Sequence, residues 1–192
     1  SDKQAPSQQI RRCRSVQHPA LISYLNRRAI ALPLARYYLQ EVHYSNAGRP
    51  RFALGWRTDS GGWSLRAHNF KACFRPAGIT TLGTASESLA VFEGMFDFLA
   101  ALSFYRKSAP NGQVIILNST AHLHAVSEII KDGDFQAVRL YLDNDRAGRL
   151  AAQQLLTLRN TVDCSEAFSP AKDFAQWYEQ RMKGRNSLSF LQ

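Results

Sequence analysis

Long apolar segments are missing from this chain. No apolar run approaches the roughly 18 residues that cross a bilayer, and the first residues, 1–6, lack the apolar core of a secretory signal. A hydrophobic content of 45% is ordinary for a folded soluble protein. We therefore expect a cytoplasmic protein without a membrane partner, and we interpret the N-terminus as a linker.

Cysteine is also scarce, and its spacing excludes two classes of small protein. The three cysteines, Cys13, Cys73 and Cys164, lie far apart and form no C-x-x-C pair, which argues against a disulfide framework and against a zinc module. His122 and His124 stand two residues apart, so they do not share a helix face. We expect free thiols in a reducing compartment and no zinc in this chain.

Acidic residues are few in the first half of the sequence. Residues 1–85 contain thirteen Lys or Arg and only three Asp or Glu, a net charge of +10, whereas the remainder has eleven basic and twelve acidic residues, a net charge of −1. Such an asymmetry predicts phosphate binding. The same half holds several aromatics that can stack on bases, although burial in a small sheet is the simpler explanation for most of them. The candidate nucleic-acid-binding residues are Arg49, Arg51, Arg57, Arg66 and Lys71. We expect fewer than half of them to touch nucleic acid.

The hydrophobic pattern divides the chain into two parts. The first part reads as a small α+β subdomain, with helices at 18–28 and 32–39 and strands at 41–44, 51–56, 63–67 and 71–74. The second part alternates strands (88–92, 113–118, 137–142, 161–164) with helices (95–106, 121–131, 146–157, 172–182), which is typical of an α/β domain with a mainly parallel sheet flanked by helices. The predicted limits are a linker at 1–15, a basic subdomain at 16–85 with a connector at 76–86, the α/β domain at 86–183 and a tail at 184–192.

Four carboxylates follow strands of the second part. Glu93 and Asp97 lie in Glu-Gly-Met-Phe-Asp, and Asp143 and Asp145 lie in Asp-Asn-Asp-Arg-Ala-Gly. Open α/β sheets bind ligands where strands end and helices begin. Clustered carboxylates repel each other unless a cation lies between them, and hard oxygen ligands favour magnesium, manganese or calcium. The spacing predicts that Asp143 and Asp145 share one cation while Glu93 approaches from an adjacent strand.

Three of the four acids also have a straightforward structural explanation, whereas Glu93, which ends an apolar strand before Gly94, is harder to explain in that way. Asp145 would cap the following helix, and Asp143 would stabilise a turn. Asp97 would complement the dipole of its own helix. The combination of both motifs about 50 residues apart is what favours a shared site over three separate structural roles.

Over about residues 86–182 these motifs resemble the toprim domain, the metal-binding catalytic fold of bacterial-type primases, type IA and type II topoisomerases and some nucleases. That family has a glutamate after its first strand and Asp-x-Asp after its third, and Glu93, Asp143 and Asp145 match. The primase branch extends these to Glu-Gly-x-x-Asp and Asp-Gly-Asp-Arg-Ala-Gly, to which residues 93–97 and 143–148 are similar. The chain resembles the toprim-containing primase-like proteins of mobile elements.

Two further elements carry the resemblance, and three departures qualify it. Lys172-Asp173 resembles the later Lys-Asp element of the primase branch, and Ser119-Thr120 falls where the family has Gly-Thr. Asn118-Ser119-Thr120 therefore lacks a glycine, Asn144 replaces the glycine of Asp-Gly-Asp, and neither a zinc-binding module nor a helicase-binding region is recognisable.

The resemblance implies the catalytic core of a DNA primase-like protein, a nucleotidyltransferase that uses Mg²⁺ (or Mn²⁺) to make RNA primers on single-stranded DNA from nucleoside triphosphates. A helicase or an upstream zinc-binding domain would be further partners. The implied catalytic residues are Glu93, as ligand or general base, with Asp143 and Asp145; the implied metal ligands are Glu93, Asp97, Asp143, Asp145 and Asp173; and the implied phosphate-binding residues are Thr120, Arg146 and Lys172. The alternatives are a toprim nuclease and a non-catalytic nucleic-acid-binding module whose acids serve only as caps.

Overall fold

The computed structural model describes residues 9–189, and the chain divides into two compact units, Ser1–Ala77 and Gly78–Gln192. Unit 1 contains β1 (Gln9–Arg14), α1 (Pro19–Arg27), α2 (Leu32–Tyr38), β2 (Gln40–Asn46), β3 (Arg49–Arg57), β4 (Trp63–Ala67) and β5 (Phe70–Phe74). Unit 2 contains β6 (Thr80–Leu82), β7 (Ser88–Phe92), α3 (Met95–Phe104), β8 (Gln113–Ile116), α4 (Leu123–Asp132), β9 (Ala137–Tyr141), α5 (Arg146–Leu155), β10 (Thr161–Asp163) and α6 (Phe174–Ser189). None of the helices described is long and apolar enough to cross a membrane.

The sheet of unit 1 is antiparallel, with the strand order β1-β2-β3-β4-β5. Alternation along the strands places Val42, Tyr44 and Leu65 on one face, where they form a buried cluster with neighbouring apolar side chains. A Cβ at Gly55 would lie 2.6 Å from a methyl of Val42 and 2.7 Å from one of Leu65. Glycine at this position therefore lets the side chains of neighbouring strands close over β3.

Local sequence signals define the first helix of unit 1. Pro19 occupies the first turn of α1, where its missing N–H is harmless, and the His18 Nδ1 atom accepts a hydrogen bond from the Ala20 N–H at 3.1 Å. The helix buries Leu21, Tyr24 and Leu25, the face that its apolar spacing predicts.

The sheet of unit 2 is mixed, with the strand order β10-β9-β7-β8-β6. Its first four strands run parallel, and β6 pairs with β8 in the antiparallel sense. Val126 and Ile130 of α4, with Ala151 and Leu155 of α5, pack against one face in a cluster of buried aliphatic residues. On the other face, Phe98 of α3 meets the ring of Phe92 edge-on, with centroids 5.7 Å apart. The prediction of an α/β domain with a mainly parallel sheet flanked by helices, preceded by a small α+β subdomain, is confirmed.

Three segments differ from the sequence-based prediction. Gln9–Arg14, predicted as part of a linker, is strand β1; its two hydrophobic residues, Ile10 and Cys13, are three positions apart and so give no alternation to recognise. Thr80–Leu82, predicted as connector, is the edge strand β6, too short for a periodic signal. Helix α6 continues to Ser189, past the predicted tail boundary at 184, because a polar end leaves no apolar stripe to follow. The remaining parts of the predicted linker and tail, 1–8 and 190–192, lie outside the described residues.

Candidate metal-binding active site

The site forms where two adjacent parallel strands end. Strands β7 and β9 pair with Phe92 opposite Tyr141, so Glu93 and Asp143 emerge at the same edge of the sheet. The Asp143 backbone N–H donates a hydrogen bond to Glu93 Oε2 at 3.1 Å. The two halves of the predicted acidic set, 50 residues apart in sequence, are thus in direct contact.

Asp143 is a carboxylate in an unfavourable electrostatic environment. Only 13% of its side chain is exposed. Burial raises its pKa to about 6, helped by the negative charges of Glu93 and Asp173. A nearby cation would therefore stabilise the ionised form of Asp143.

Asp145 has the cap role that the sequence analysis considered, and its position leaves the metal-ligand role open as a prediction. It is the N-cap of α5, with its Oδ1 atom accepting from the Gly148 N–H at 2.9 Å, and this hydrogen bond lowers its pKa. Its side chain remains 40% exposed. A cap of this kind uses one oxygen, so the same carboxylate can cap the helix and face a ligand.

Gly148 fixes the distance between α5 and the end of β9. A Cβ at this position would lie 2.1 Å from the carbonyl oxygen of Asp143 and 2.8 Å from its nitrogen. Any side chain would push the helix away from the strand end. The glycine therefore sets the close approach that places Asp145 beside Asp143.

Lys172 supplies positive charge to this pair. Its Nζ atom lies 3.3 Å from Asp143 Oδ2 and 3.4 Å from Asp145 Oδ2. The side chain is 55% exposed. The residue that the resemblance assigns to phosphate binding therefore contacts the two aspartates.

Asn144 holds the Lys172 loop in place, a role that sequence reasoning missed. Its backbone N–H donates to the Lys172 carbonyl at 2.6 Å, and its Nδ2 donates to the carbonyls of Ala171 at 3.0 Å and Ser165 at 3.3 Å. The departure from Asp-Gly-Asp was the available signal. It pointed to backbone angles, yet Asn144 is not among the described residues with positive φ, and the asparagine acts through its amide.

The other predicted acids both contact the start of α6, Asp97 from the first turn of α3 and Asp173 from the residue before α6. Asp97 is buried and accepts from the Ala175 N–H at 3.0 Å, while Asp173 accepts from the Gln176 N–H at 2.7 Å. Each thus satisfies an N–H of the first turn of α6. Asp97 lies in the first turn of α3, where it complements the dipole of its own helix, as the sequence analysis considered. Its hydrogen bond with the Ala175 N–H, 78 positions later in the sequence, lets it complement the dipole of α6 as well.

The remaining predicted phosphate-binding residues are Arg146 and Thr120. Arg146 is exposed in the first turn of α5, and Thr120 is half-buried at the start of the 3₁₀ turn Thr120–His122. Ser119, at the usual glycine position, has φ −162°, an extended conformation open to any residue. The positive φ of 61° occurs one residue earlier, at Asn118, whose N–H donates to the Glu93 carbonyl at 3.1 Å.

The basic candidates of unit 1 do not form one patch. The strand register places Arg51 and Arg57 on one face of the sheet and Arg66 and Lys71 on the other. Arg66 Nε lies 3.4 Å from the Tyr24 hydroxyl, and the Arg57 guanidinium lies 4.9 Å from the centre of the Trp63 ring.

A cavity of about 310 Å³ is lined by residues that include Arg51, Tyr24, Phe52 and His68. Arg49, Arg51, Arg57 and Lys71 are exposed, while Arg66 is half-buried. The exposed members remain candidates for phosphate contact.

Residues 90–178 match a family model described as toprim-like. The crystal structure of the primase fragment of the bacteriophage T7 primase-helicase is similar, with a TM-score of 0.57 and 16% identity over 88% of this chain and 72% of that one. Unit 2 contains a toprim-like domain at residues 90–178, and the chain has a fold similar to that of the T7 primase fragment.

Further comparisons concern a second solved structure, the N-terminal part of the chain and the curated proteins. A structure of the T7 lagging-strand DNA polymerase interacting with primase domains of two subunits, bound to an RNA/DNA hybrid and dTTP, gives a TM-score of 0.57 at 16% identity over 91% of this chain and 88% of the other. Residues 10–75 match a family described as a domain of unknown function, DUF8464. A comparison with curated proteins found no match.

Toprim domains generally bind Mg²⁺, and the donor set of this one fits a hard cation. Glu93, Asp143 and Asp145 offer carboxylate oxygens, and the Lys172 ammonium stands in for a cation between two of them. Within residues 9–189 no three His, Cys, Asp or Glu side chains are already gathered as a ligand group. The oxygen ligands and the negative charge of Glu93, Asp143 and Asp145 therefore fit magnesium, and the Lys172 ammonium lies between Asp143 and Asp145, where a metal cation would bind.

Proposed function

We propose that this chain is the catalytic part of a primase-like nucleotidyltransferase that joins ribonucleotides on a single-stranded DNA template. The contact between Glu93 Oε2 and the Asp143 N–H at 3.1 Å is the observation that carries the proposal. It brings the two motifs of the toprim pattern together at the ligand-binding edge of the sheet. The similar fold of the T7 primase fragment supports the same reaction class.

Glu93, Asp143 and Asp145 would hold Mg²⁺, which when bound neutralises charge on the transferring phosphoryl group and activates the attacking hydroxyl. Glu93 has the further option of accepting the proton of the attacking 3′-hydroxyl as a general base. Asp97 and Asp173 stay predictions as supporting ligands, since one oxygen of each is already used by α6.

The chain's own cations would position the nucleotide. Lys172 lies at the carboxylates, Arg146 is exposed in the first turn of the neighbouring helix α5, and Thr120 begins the turn after β8. Positive groups of this kind pair with phosphate oxygens. The partners of the proposed reaction are single-stranded DNA and nucleoside triphosphates. A helicase is a further candidate by analogy with the T7 primase-helicase protein, and the primase resemblance implies an upstream zinc-binding domain.

We expect the full chain to extend RNA on a labelled single-stranded DNA template when given Mg²⁺ and the four ribonucleoside triphosphates. Products are resolved on a denaturing gel, with an EDTA reaction as the control. Templated ribonucleotide incorporation supports the proposal. Shortening of the labelled DNA without incorporation of ribonucleotides would instead identify a toprim nuclease. DNA binding with no calorimetric Mg²⁺ signal would identify a non-catalytic binding module.

For unit 1 we propose electrostatic binding of nucleic acid, and we choose Arg51, one of the exposed arginines of β3, for the test. We expect Arg51→Ala to reduce the slope of log affinity against log salt by about 0.7, the value for one phosphate contact on a single strand. Fluorescence anisotropy of a labelled oligonucleotide between low and moderate salt measures the slope. Arg159→Ala, an equally charged change at an exposed residue of unit 2, is the matched control and should leave the slope unchanged. Equal slopes for both variants would remove Arg51 from the interface.

A further inference from the structure

One positively charged side chain is already at the proposed metal site. The Lys172 Nζ atom is almost equidistant from Asp143 Oδ2 and Asp145 Oδ2, at 3.3 and 3.4 Å. The Asp145 Oδ1 atom is used by the α5 cap. Lys172 therefore contacts Asp145 Oδ2, the oxygen that the helix cap does not use and that a metal cation would bind.

The contact is built so that only the side chain of Lys172 needs to move. Its carbonyl accepts from the Asn144 N–H at 2.6 Å, and its N–H donates to Gln176 Oε1 at 2.7 Å. With the backbone held at both groups and the side chain 55% exposed, the ammonium can leave the aspartates without unfolding the loop. Long lysine side chains reach water readily by rotation about their stem.

We propose that Lys172 is a resident counterion, displaced by the metal and then available to a phosphate of the incoming nucleotide. This inference rests on the proposed function, because it assigns Lys172 a position in each of two states of the same site. Without metal, the ammonium reduces repulsion among the carboxylates. When a dication takes the same oxygens, the two positive charges repel each other, and a triphosphate offers the ammonium a new partner.

The inference makes a prediction with an unusual direction, since removing a side chain from the site should strengthen metal binding. Calorimetric titration of the full chain with MgCl₂, without nucleotide or DNA, measures the affinity. We expect Lys172→Gln to bind Mg²⁺ about tenfold more tightly than the parent, the order of two exposed ion pairs that no longer compete. With Mg²⁺ bound, the same variant should bind a non-hydrolysable ribonucleoside triphosphate about threefold more weakly, the order of one exposed ion pair.

Two matched variants separate this role from general charge effects. Lys131→Gln removes an equally charged lysine that also pairs with a carboxylate, Glu128, but on α4, and should leave both affinities unchanged. Lys172→Arg retains the positive charge and should keep Mg²⁺ affinity close to that of the parent.

Each result has a separate meaning. Equal or weaker Mg²⁺ binding by Lys172→Gln, with measurable binding by the parent, would overturn displacement and leave the proposed function standing. Unchanged nucleotide affinity in that variant would overturn the second position of the lysine. Absence of any Mg²⁺ binding in both proteins would overturn the proposed metal site and, with it, this inference.

Discussion

Primer synthesis should fall about a thousandfold, and Mg²⁺ binding should be lost, when Asp143 and Asp145 are both replaced by asparagine. Metal-ion stabilisation of the transferring phosphoryl group is worth several kcal/mol, and about 4 kcal/mol corresponds to three orders of magnitude in rate. Asparagine is chosen because it caps helices as well as aspartate does. It should therefore preserve the hydrogen bond from the Gly148 N–H that begins α5. Gel-resolved incorporation and calorimetric titration measure the two losses.

The single variant Asp143→Asn should unfold less readily than the parent when no metal is present. Burial and the charges of Glu93 and Asp173 raise the pKa of Asp143 to about 6, so its ionised form opposes folding at neutral pH. A neutral amide removes that opposition, and we expect the free energy of unfolding in EDTA to rise by about 1–3 kcal/mol. Loss of activity with a gain of stability is the mark of a binding site rather than of a structural core.

Asp134→Asn is the matched control for both measurements. Asp134 is 95% exposed and paired only loosely, at 3.6 Å, with Arg159, so its replacement should change neither rate nor stability appreciably. If the Asp143 and Asp145 variant retained parental activity, these carboxylates would not be the metal ligands. If it lost activity together with its fold, measured by circular dichroism, the assignment would rest on the single variants.

The proximity of the acidic motifs was accessible from sequence because parallel strands end at one edge of a sheet. Residues 88–92 and 137–142 read as strands, so Glu93 and Asp143 were expected side by side, and the structure has them in contact. The hydrogen bond of Asp97 to the Ala175 N–H was not accessible. It joins residues 78 positions apart through the packing of α3 against α6, for which the sequence holds no local signal.

Glu41 shows the same limit in unit 1. From sequence it was one of three acids in a strongly basic half, with nothing to separate it from a solvated surface residue. In the structure it is fully buried on β2. Its Oε1 atom accepts from Arg14 Nε at 2.9 Å and lies 2.6 Å from His43 Nε2. Its Oε2 atom accepts from the N–H groups of Gln17 at 3.0 Å and His18 at 2.7 Å.

Replacing Glu41 by glutamine should destabilise unit 1 strongly. Burial alone would raise its pKa, but hydrogen bonds from Gln17 N–H, Arg14, His43 and His18 N–H lower it to about 2. Against the ordinary value of 4.5, that shift corresponds to about 3 kcal/mol. Removing the charge also leaves Arg14 without its buried partner, so we expect a loss of about 3–5 kcal/mol in the free energy of unfolding.

The pH dependence has a definite sign. Because the pKa of Glu41 is lower in the folded state, its contribution is fully present above about pH 4.5 and is lost as the pH falls towards 2. The parent should therefore lose stability steeply over this window, and Glu41→Gln should lose less. Urea unfolding followed by tryptophan fluorescence reports on unit 1 through Trp56 and Trp63, and a Trp177→Phe background removes the tryptophan of unit 2.

The control for Glu41 is the same chemical change in an exposed ion pair. Glu128 is 48% exposed and pairs with Lys131 at 2.9 Å on α4, so Glu128→Gln should alter stability by no more than about 0.5 kcal/mol. A comparably small effect for Glu41→Gln would mean that the buried carboxylate is not what fixes β1 and the start of α1 to β2. A large effect restricted to the Trp56 and Trp63 signal would show that one acid in a strongly basic half determines the stability of unit 1.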